Sequence, residues 1–333
     1  MTKILVSAQG NSINCAMQEL KQLFITKNIK ELSSTIFLAE IKNGTDELLF
    51  NISKNKPIFI RYIIPVKFED TIIKDKIDYS IINNLELNKD DTYVLHFNLI
   101  NNDIINKQEV VGNILNYFKT NNININPKNA NKIINITINN KSIYLGTLNI
   151  KDSLSSWNFG ECRFKHENEQ ISRAELKLLE AFEYFNIKID NYKTALDLGA
   201  APGGWTRILL NKGLKVTAVD PAELHESLRN NQNLFHYQDI SQKFFREHKD
   251  NKYDIIVNDM KMDTKKSIYI TEEATKYLND DGIVIMTLKL NPNREFEEIK
   301  ECIDIIKENH EIIGVHQLFH NRSEVTIAFK NFE

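Results

Sequence analysis

Apolar residues in the second half of the chain fall into two kinds of pattern, short uninterrupted runs and longer stretches spaced by three or four. The first kind covers Ala195–Leu198, Leu214–Val219, Leu234–Gln238, Tyr253–Asn258 and Ile283–Leu288, each of strand length. The second kind predicts helices between them, from Trp205 to about Lys212, from about Ser267 to Leu278, and from Glu295 to Asn309. A further helix opens at Ser172-Arg173-Ala174-Glu175, a serine with a glutamate three residues on, which is the pattern of a capping box. Its apolar face is expected at Leu176, Leu179, Phe182 and Phe185. Two last strands, about Ile312–Phe319 and Glu324–Phe329, leave little room for a helix between them and predict an antiparallel hairpin. Strands and helices alternating through short links predict a doubly wound α/β sheet.

The first half is less regular. Lys3–Ser7 followed by Ala16–Phe24 reads as strand then helix, and Asp91–Leu99 as a strand. Ile104, Val111, Leu115 and Phe118 keep helical spacing. After Ile125-Asn126-Pro127-Lys128-Asn129 comes a hairpin, Ile134–Ile138 to Ile143–Leu148, turning at Asn139-Asn140-Lys141-Ser142. Periodicity is lost around Ser153, Ser155 and Ser156, which predicts a linker over 153–171. The expected organisation is an α+β region at 1–88, a second small domain at 89–152, the linker, and the α/β domain at 172–333.

A chain of 333 residues is long enough for two domains with their own cores. Its 42% hydrophobic and 26% charged content is ordinary for a soluble protein, and it has no apolar stretch long enough to span a bilayer. The apolar start, Ile4-Leu5-Val6, is too short for a secretory signal, so a cytoplasmic location is expected. Cys15, Cys162 and Cys302 are scattered and odd in number, giving neither a disulfide framework nor metal-ligand spacing. His316 and His320 lie four apart near a strand with no third ligand evident, so no metal is expected. A net charge of −3 places any nucleic-acid contact on local basic surface, such as Lys261, Lys265 and Lys266.

The candidate chemistry begins where the first α/β strand ends: Ala195-Leu196-Asp197-Leu198-Gly199-Ala200-Ala201-Pro202-Gly203-Gly204-Trp205. The next strand closes on Asp220, a position from which a carboxylate can accept from ribose hydroxyls. A dinucleotide fingerprint would read G-x-G-x-x-G; the proline and the missing third glycine speak against it. The turn D-x-G-x-x-P-G-G-W resembles the cofactor loop of the FtsJ/RrmJ-type ribose 2′-O-methyltransferases. That resemblance implies a Rossmann-like methyltransferase sheet and S-adenosylmethionine as cofactor. It places Gly199, Ala201, Pro202, Gly203 and Gly204 along the methionine and ribose parts, Asp220 on the ribose, and Asp239 on the adenine amine. Trp205 is expected against the cofactor, and Asp259 toward its ammonium.

The same family carries a Lys-Asp-Lys-Glu tetrad, and the resemblance maps it onto Lys177, Asp259, Lys289 and Glu324. Asp259 and Lys289 both close strands, where open α/β sheets place their sites. Attack of a neutral hydroxyl on a sulfonium methyl needs a general base, and an amine near that hydroxyl can take its proton. Lys289 is expected to be the base, Lys177 to orient the hydroxyl, and the two acids to hold the amines. Ser172-Arg173-Ala174-Glu175-Leu176-Lys177-Leu178 and His320-Asn321-Arg322-Ser323-Glu324-Val325-Thr326 are similar to the RlmM-like branch of the family, which acts on 23S rRNA and carries an N-terminal THUMP region. The order strand, helix, Asn-Pro turn and hairpin over 89–152 resembles such a THUMP-like RNA-binding module. Ala174 and the run Asn291-Pro292-Asn293-Arg294 depart from that branch. The implied partner is RNA. A non-catalytic RNA-binding or ribosome-assembly factor is the competing expectation. A base methyltransferase is disfavoured because no N-P-P-Y-like motif accompanies the loop.

Overall fold

The computed structural model describes residues 1–72, 77–102, 105–165 and 169–332. The chain divides into two compact units, Met1–Cys162 and Arg163–Glu333.

The first unit holds two sheets. In one, β1 (Thr2–Ala8) lies between β3 (Ile36–Ile41) and β4 (Ile60–Val66), with β2 (Thr26–Glu31) at the edge, and the pairs are antiparallel. Helices α1 (Ile13–Leu23) and α2 (Thr45–Lys54) link its strands. The second sheet has the order β5-β9-β8-β6-β7, built from β5 (Phe68–Thr71), β6 (Thr92–Ile100), β7 (Asn124–Ile125), β8 (Lys132–Asn139) and β9 (Ser142–Asn149). Helix α3 (Lys107–Thr120) buries Val110, Ile114 and Phe118 against it, while Leu115 is exposed; Ile104 lies outside the described residues. The β8–β9 hairpin turns at Asn140, whose φ of 52° suits asparagine.

Two expected boundaries move. Residue 88 does not divide the sheets, because β5 already pairs with β9, and Leu5, Tyr62 and Ile64 share one core with Ile133, Tyr144 and Leu148. The serine-rich segment is not free chain either. Phe159 is buried, stacks on Tyr62 at 4.9 Å, and its carbonyl accepts from Ser7 Oγ at 2.6 Å. One buried aromatic ring outweighs the polar residues around it.

The second unit is a seven-stranded sheet of order β12-β11-β10-β13-β14-β16-β15. Its strands are β10 (Thr194–Leu198), β11 (Lys215–Val219), β12 (Leu234–Tyr237), β13 (Tyr253–Asn258), β14 (Leu278–Lys289), β15 (His310–His316) and β16 (Glu324–Asn331). The first five run parallel; β16 inserts antiparallel beside β14 and pairs on its far side with β15. Helices α4 (Ala174–Tyr184), α5 (Gly204–Asn211), α6 (Ser241–Glu247), α7 (Thr264–Thr275) and α8 (Glu295–Lys307) complete the unit. The strand order reverses at β10, which makes the loop after it a topological switch point, the position where such sheets bind ligands. The buried residues of α4 are Leu178 and Ala181 with the acids Glu175 and Glu180, whereas Leu176, Leu179, Phe182 and Phe185 are only half-buried. Apolar spacing missed this face because polar side chains with tertiary partners occupy part of it.

Candidate active site

Strand register brings the candidate acids and amines together. In the β14–β16 pair Lys289 stands directly opposite Glu324, and in the β13–β14 pair Asn258 stands opposite Met286, so Asp259 emerges beside the end of β14. Lys177 enters from α4. Its ammonium contacts Glu324 Oε1 directly and lies 3.2 Å from Asp259 Oδ2. The Lys289 ammonium lies 2.6 Å from Asp259 Oδ1 and 3.7 Å from Glu324 Oε1. All four candidate tetrad residues therefore meet in one cluster of alternating charge.

The cluster is largely withdrawn from water, with side chains 13% (Lys177), 16% (Asp259), 22% (Lys289) and 9% (Glu324) exposed. Lys289 is the most accessible of the four. Burial alone would push the Asp259 carboxyl up, but the ammoniums of Lys289 and Lys177 outweigh it and hold the group below the usual carboxylate range. Burial alone would lower Lys177, yet Asp259 and Glu324 prevail and raise it above the ordinary lysine value.

Two hydroxyls join this cluster without any signal in the motif reading. Thr287 Oγ donates to Asp259 Oδ1 at 2.6 Å and accepts from Lys289 Nζ at 2.8 Å. Thr264 Oγ donates to the Lys289 carbonyl at 2.6 Å, tying the start of α7 to the end of β14. Thr287 lies two residues before Lys289, so strand alternation puts both on one face. That spacing was readable in the sequence; the contact with Asp259 was not.

The glycine loop lies after β10, at the switch point. Gly203 has φ of 109°, a conformation that favours glycine, and a Cβ there would stand 2.4 Å from Leu228 Cδ1. A Cβ on Gly204 would stand 2.2 Å from Ser172 Oγ. The Pro202 carbonyl accepts from the His225 amide at 2.8 Å. Asp220 Oδ2 accepts from the Ala201 amide at 3.0 Å and Oδ1 from the Ala222 amide at 2.8 Å, leaving acceptor capacity on both oxygens. Gly199 and Ala201 follow β10 as expected, with Gly199 held by its amide to the Val219 carbonyl at 2.9 Å.

Trp205, Asp239 and Asp259, expected at the cofactor, each have protein partners. Trp205 is buried in the core with Leu178, Ala181 and Ile208, and its indole N–H donates to the Ala174 carbonyl at 2.7 Å. Asp239 follows β12; its Oδ2 accepts from Lys243 at 2.6 Å and its Oδ1 from the Ile240 amide at 2.8 Å, so like Asp220 it keeps acceptor capacity on both oxygens. Asp259 already receives Lys177, Lys289 and Thr287. The histidines also have structural employment. His316 stacks on Tyr184 at 4.0 Å, and His320 bonds Glu180 at 2.7 Å.

The segment that carries α4, the glycine loop and the ends of β13 and β14 matches a known family over residues 170–317. The matching model is that of the FtsJ-like methyltransferases. Among relatives, the ribosomal RNA large subunit methyltransferase M of Pseudoalteromonas atlantica is 33% identical over 190 residues, 53% of this chain and 52% of that protein. The protein of the same name from Idiomarina loihiensis is 33% identical over 188 residues, 52% of this chain and 50% of its own. The match thus spans about half the length of these relatives. Among solved structures, TrmN from Thermus thermophilus is 8% identical with a TM-score of 0.39 over 100% of both chains, a likeness too slight to carry an argument. Among the described residues, no helix is long and apolar enough to cross a membrane.

Proposed function

We propose that this protein is an S-adenosylmethionine-dependent ribose 2′-O-methyltransferase acting on large-subunit ribosomal RNA, with Lys289 as general base. The observation that carries this reading is the cluster of two amines and two carboxylates beside the glycine loop of a methyltransferase domain. The names of the relatives support ribosomal RNA as the substrate. The residues present fit the cofactor: the loop 199–204 offers backbone and little side chain, and Asp220 keeps lone pairs for ribose hydroxyls. Bound, the cofactor supplies a methyl group on a positively charged sulfur.

In this reading Lys289, in its neutral amine form, takes the proton of the ribose hydroxyl on Nζ as the oxygen attacks, and becomes the ammonium. Lys177, more deeply set and fixed by Glu324 and Asp259, orients that oxygen and meets its developing negative charge. Asp259 and Glu324 hold the two amines apart and aimed. The second sheet of the first unit, with α3 and the β8–β9 hairpin, serves as the THUMP-like RNA-binding element. Lys261 and Lys266 are exposed and make no ion pair among the described residues, so they are offered to phosphates, whereas Lys265 is held by Glu301 at 2.9 Å. Such a protein works in the cytoplasm, where its RNA is.

The test is methyl transfer from labelled S-adenosylmethionine to ribosomal RNA taken from a strain lacking the gene, with the acceptor atom mapped. Wild-type protein should label a ribose 2′-oxygen. Lys289→Met should bind the cofactor with near-normal affinity by calorimetry and lose activity by about a thousandfold, within the range expected for a general base. Label on a base, or full activity in that variant, defeats the proposal. An RNA-binding factor without activity would bind RNA and transfer nothing.

A further inference from the structure

Glu180 is a buried carboxylate on α4, one turn after Lys177, and its oxygens receive three donors from the segment between β15 and β16. The Phe319 amide donates to Oε1 at 2.8 Å, the His320 amide to Oε2 at 3.0 Å, and His320 Nδ1 bonds Oε2 at 2.7 Å. The segment is short, and it ends at Glu324, the acid that contacts Lys177 and faces Lys289 across the sheet. Its interior is also fastened. Asn321 Oδ1 accepts from the Leu318 amide at 2.8 Å and from Thr326 Oγ at 3.1 Å, and Gln317 Nε2 donates to the Arg322 carbonyl at 3.2 Å.

We infer that Glu180 is a positioning residue that sets where Glu324 stands, so that α4 grips the β15–β16 turn at both ends, through Glu180 at 319–320 and through Lys177 at 324. This rests on the reading of Lys177, Lys289 and Glu324 as active-site groups. The physical case is economy of atoms: a charge this deeply buried is retained where it meets its full complement of donors, and here every donor comes from the turn that delivers one acid to the site. Residues three apart on a helix share a face, so a rotation or shift of α4 would move Lys177 and the turn together and preserve the ion pair. Among the described residues Glu180 makes no hydrogen bond or ion pair with the candidate amines, and its effect on them must pass through Glu324.

The test is a double-mutant cycle on the full chain with Glu180→Ala, the conservative Glu180→Gln, and Glu324→Gln. Glu180→Ala should lower kcat by tenfold or more with KM for S-adenosylmethionine changed less than twofold, and Glu180→Gln should restore part of the loss. In the Glu324→Gln background the same Glu180 changes should cost less than a further twofold, because the residue they act through is gone. An equal further loss in that background, or an unchanged kcat in Glu180→Ala, overturns the inference. If Glu180→Ala does not fold, Glu180→Gln and His320→Ala carry the same cycle. Amide hydrogen exchange gives a readout independent of activity. Phe319 and His320 should be protected in the wild type and exchange at least tenfold faster in the Glu180 variants; unchanged protection overturns the clamp. Wild-type protein that methylates no RNA counts against the proposed function, and the exchange result then decides the clamp alone.

Discussion

The Lys289 ammonium lies 2.6 Å from Oδ1 of Asp259, and this same oxygen accepts the Thr287 hydroxyl. Since Thr287 also accepts from Lys289, amine, carboxylate and hydroxyl close a small ring at the end of β14. The ring fixes the amine's position, and in the proposed reaction it would preorganise the proton transfer.

Removing the hydroxyl while keeping the shape isolates that contribution. Thr287→Val should lower kcat by about tenfold to a hundredfold, as expected for losing a hydrogen bond to charged groups worth about 1.5–3 kcal/mol. Cofactor affinity should stay within about twofold. Steady-state kinetics with calorimetry checks both, and an unchanged kcat would show that Asp259 alone suffices to hold the amine.

Asp197 links pH to stability. It is buried under the glycine loop, and although Thr206 Oγ donates to it at 2.6 Å, loss of hydration pushes its carboxyl up to about 7. The folded form then binds more protons than the unfolded form from about pH 4 to pH 7, so stability from this group is present below that window and lost as pH rises through it. Asp197→Asn should flatten that fall and raise the unfolding midpoint at pH 8. Urea titrations of both proteins at pH 5 and pH 8 measure it; parallel pH curves for the two would refute the assignment. Glu19, also buried and pushed up to about 7, adds a slope of the same sign to both proteins and cancels in the comparison.

Gly203 should resist substitution. Its φ of 109° strains any residue with a Cβ, and the methyl of alanine would stand 2.4 Å from Leu228 Cδ1. Gly203→Ala should cost about 2 kcal/mol or more of stability and weaken binding of S-adenosylmethionine. Thermal unfolding and calorimetry would expose an error if both values matched the wild type.

Glu175 illustrates a residue whose role is larger than its local pattern suggests. It accepts from the Ile171 amide at 2.7 Å and the Ser172 amide at 3.3 Å, as half of a capping box, and its other oxygen pairs with buried Arg207 at 2.9 Å. Glu175→Ala removes the carboxylate paired with that buried guanidinium and should cost about 3–5 kcal/mol by chemical denaturation. A loss near 1 kcal/mol, the scale of a cap alone, would show that the ion pair contributes little.

Sequence alone determined the order of the strands and of every helix but α6 in the second unit, the glycine loop at the end of β10, and the identity of the four charged residues now found in one cluster. Those features are local: unbroken apolar runs make buried strands, and a backbone turn needs particular residues at particular positions. Tertiary structure decided the rest. Only register places Lys289 opposite Glu324, and only packing sends the Trp205 ring into the core. The buried acids of α4 likewise have no periodic signature, because the donors that satisfy Glu175 and Glu180 come partly or wholly from distant turns of the chain. Period and propensity report what a residue does to its own segment; a hydrogen bond across 139 residues is created by the fold.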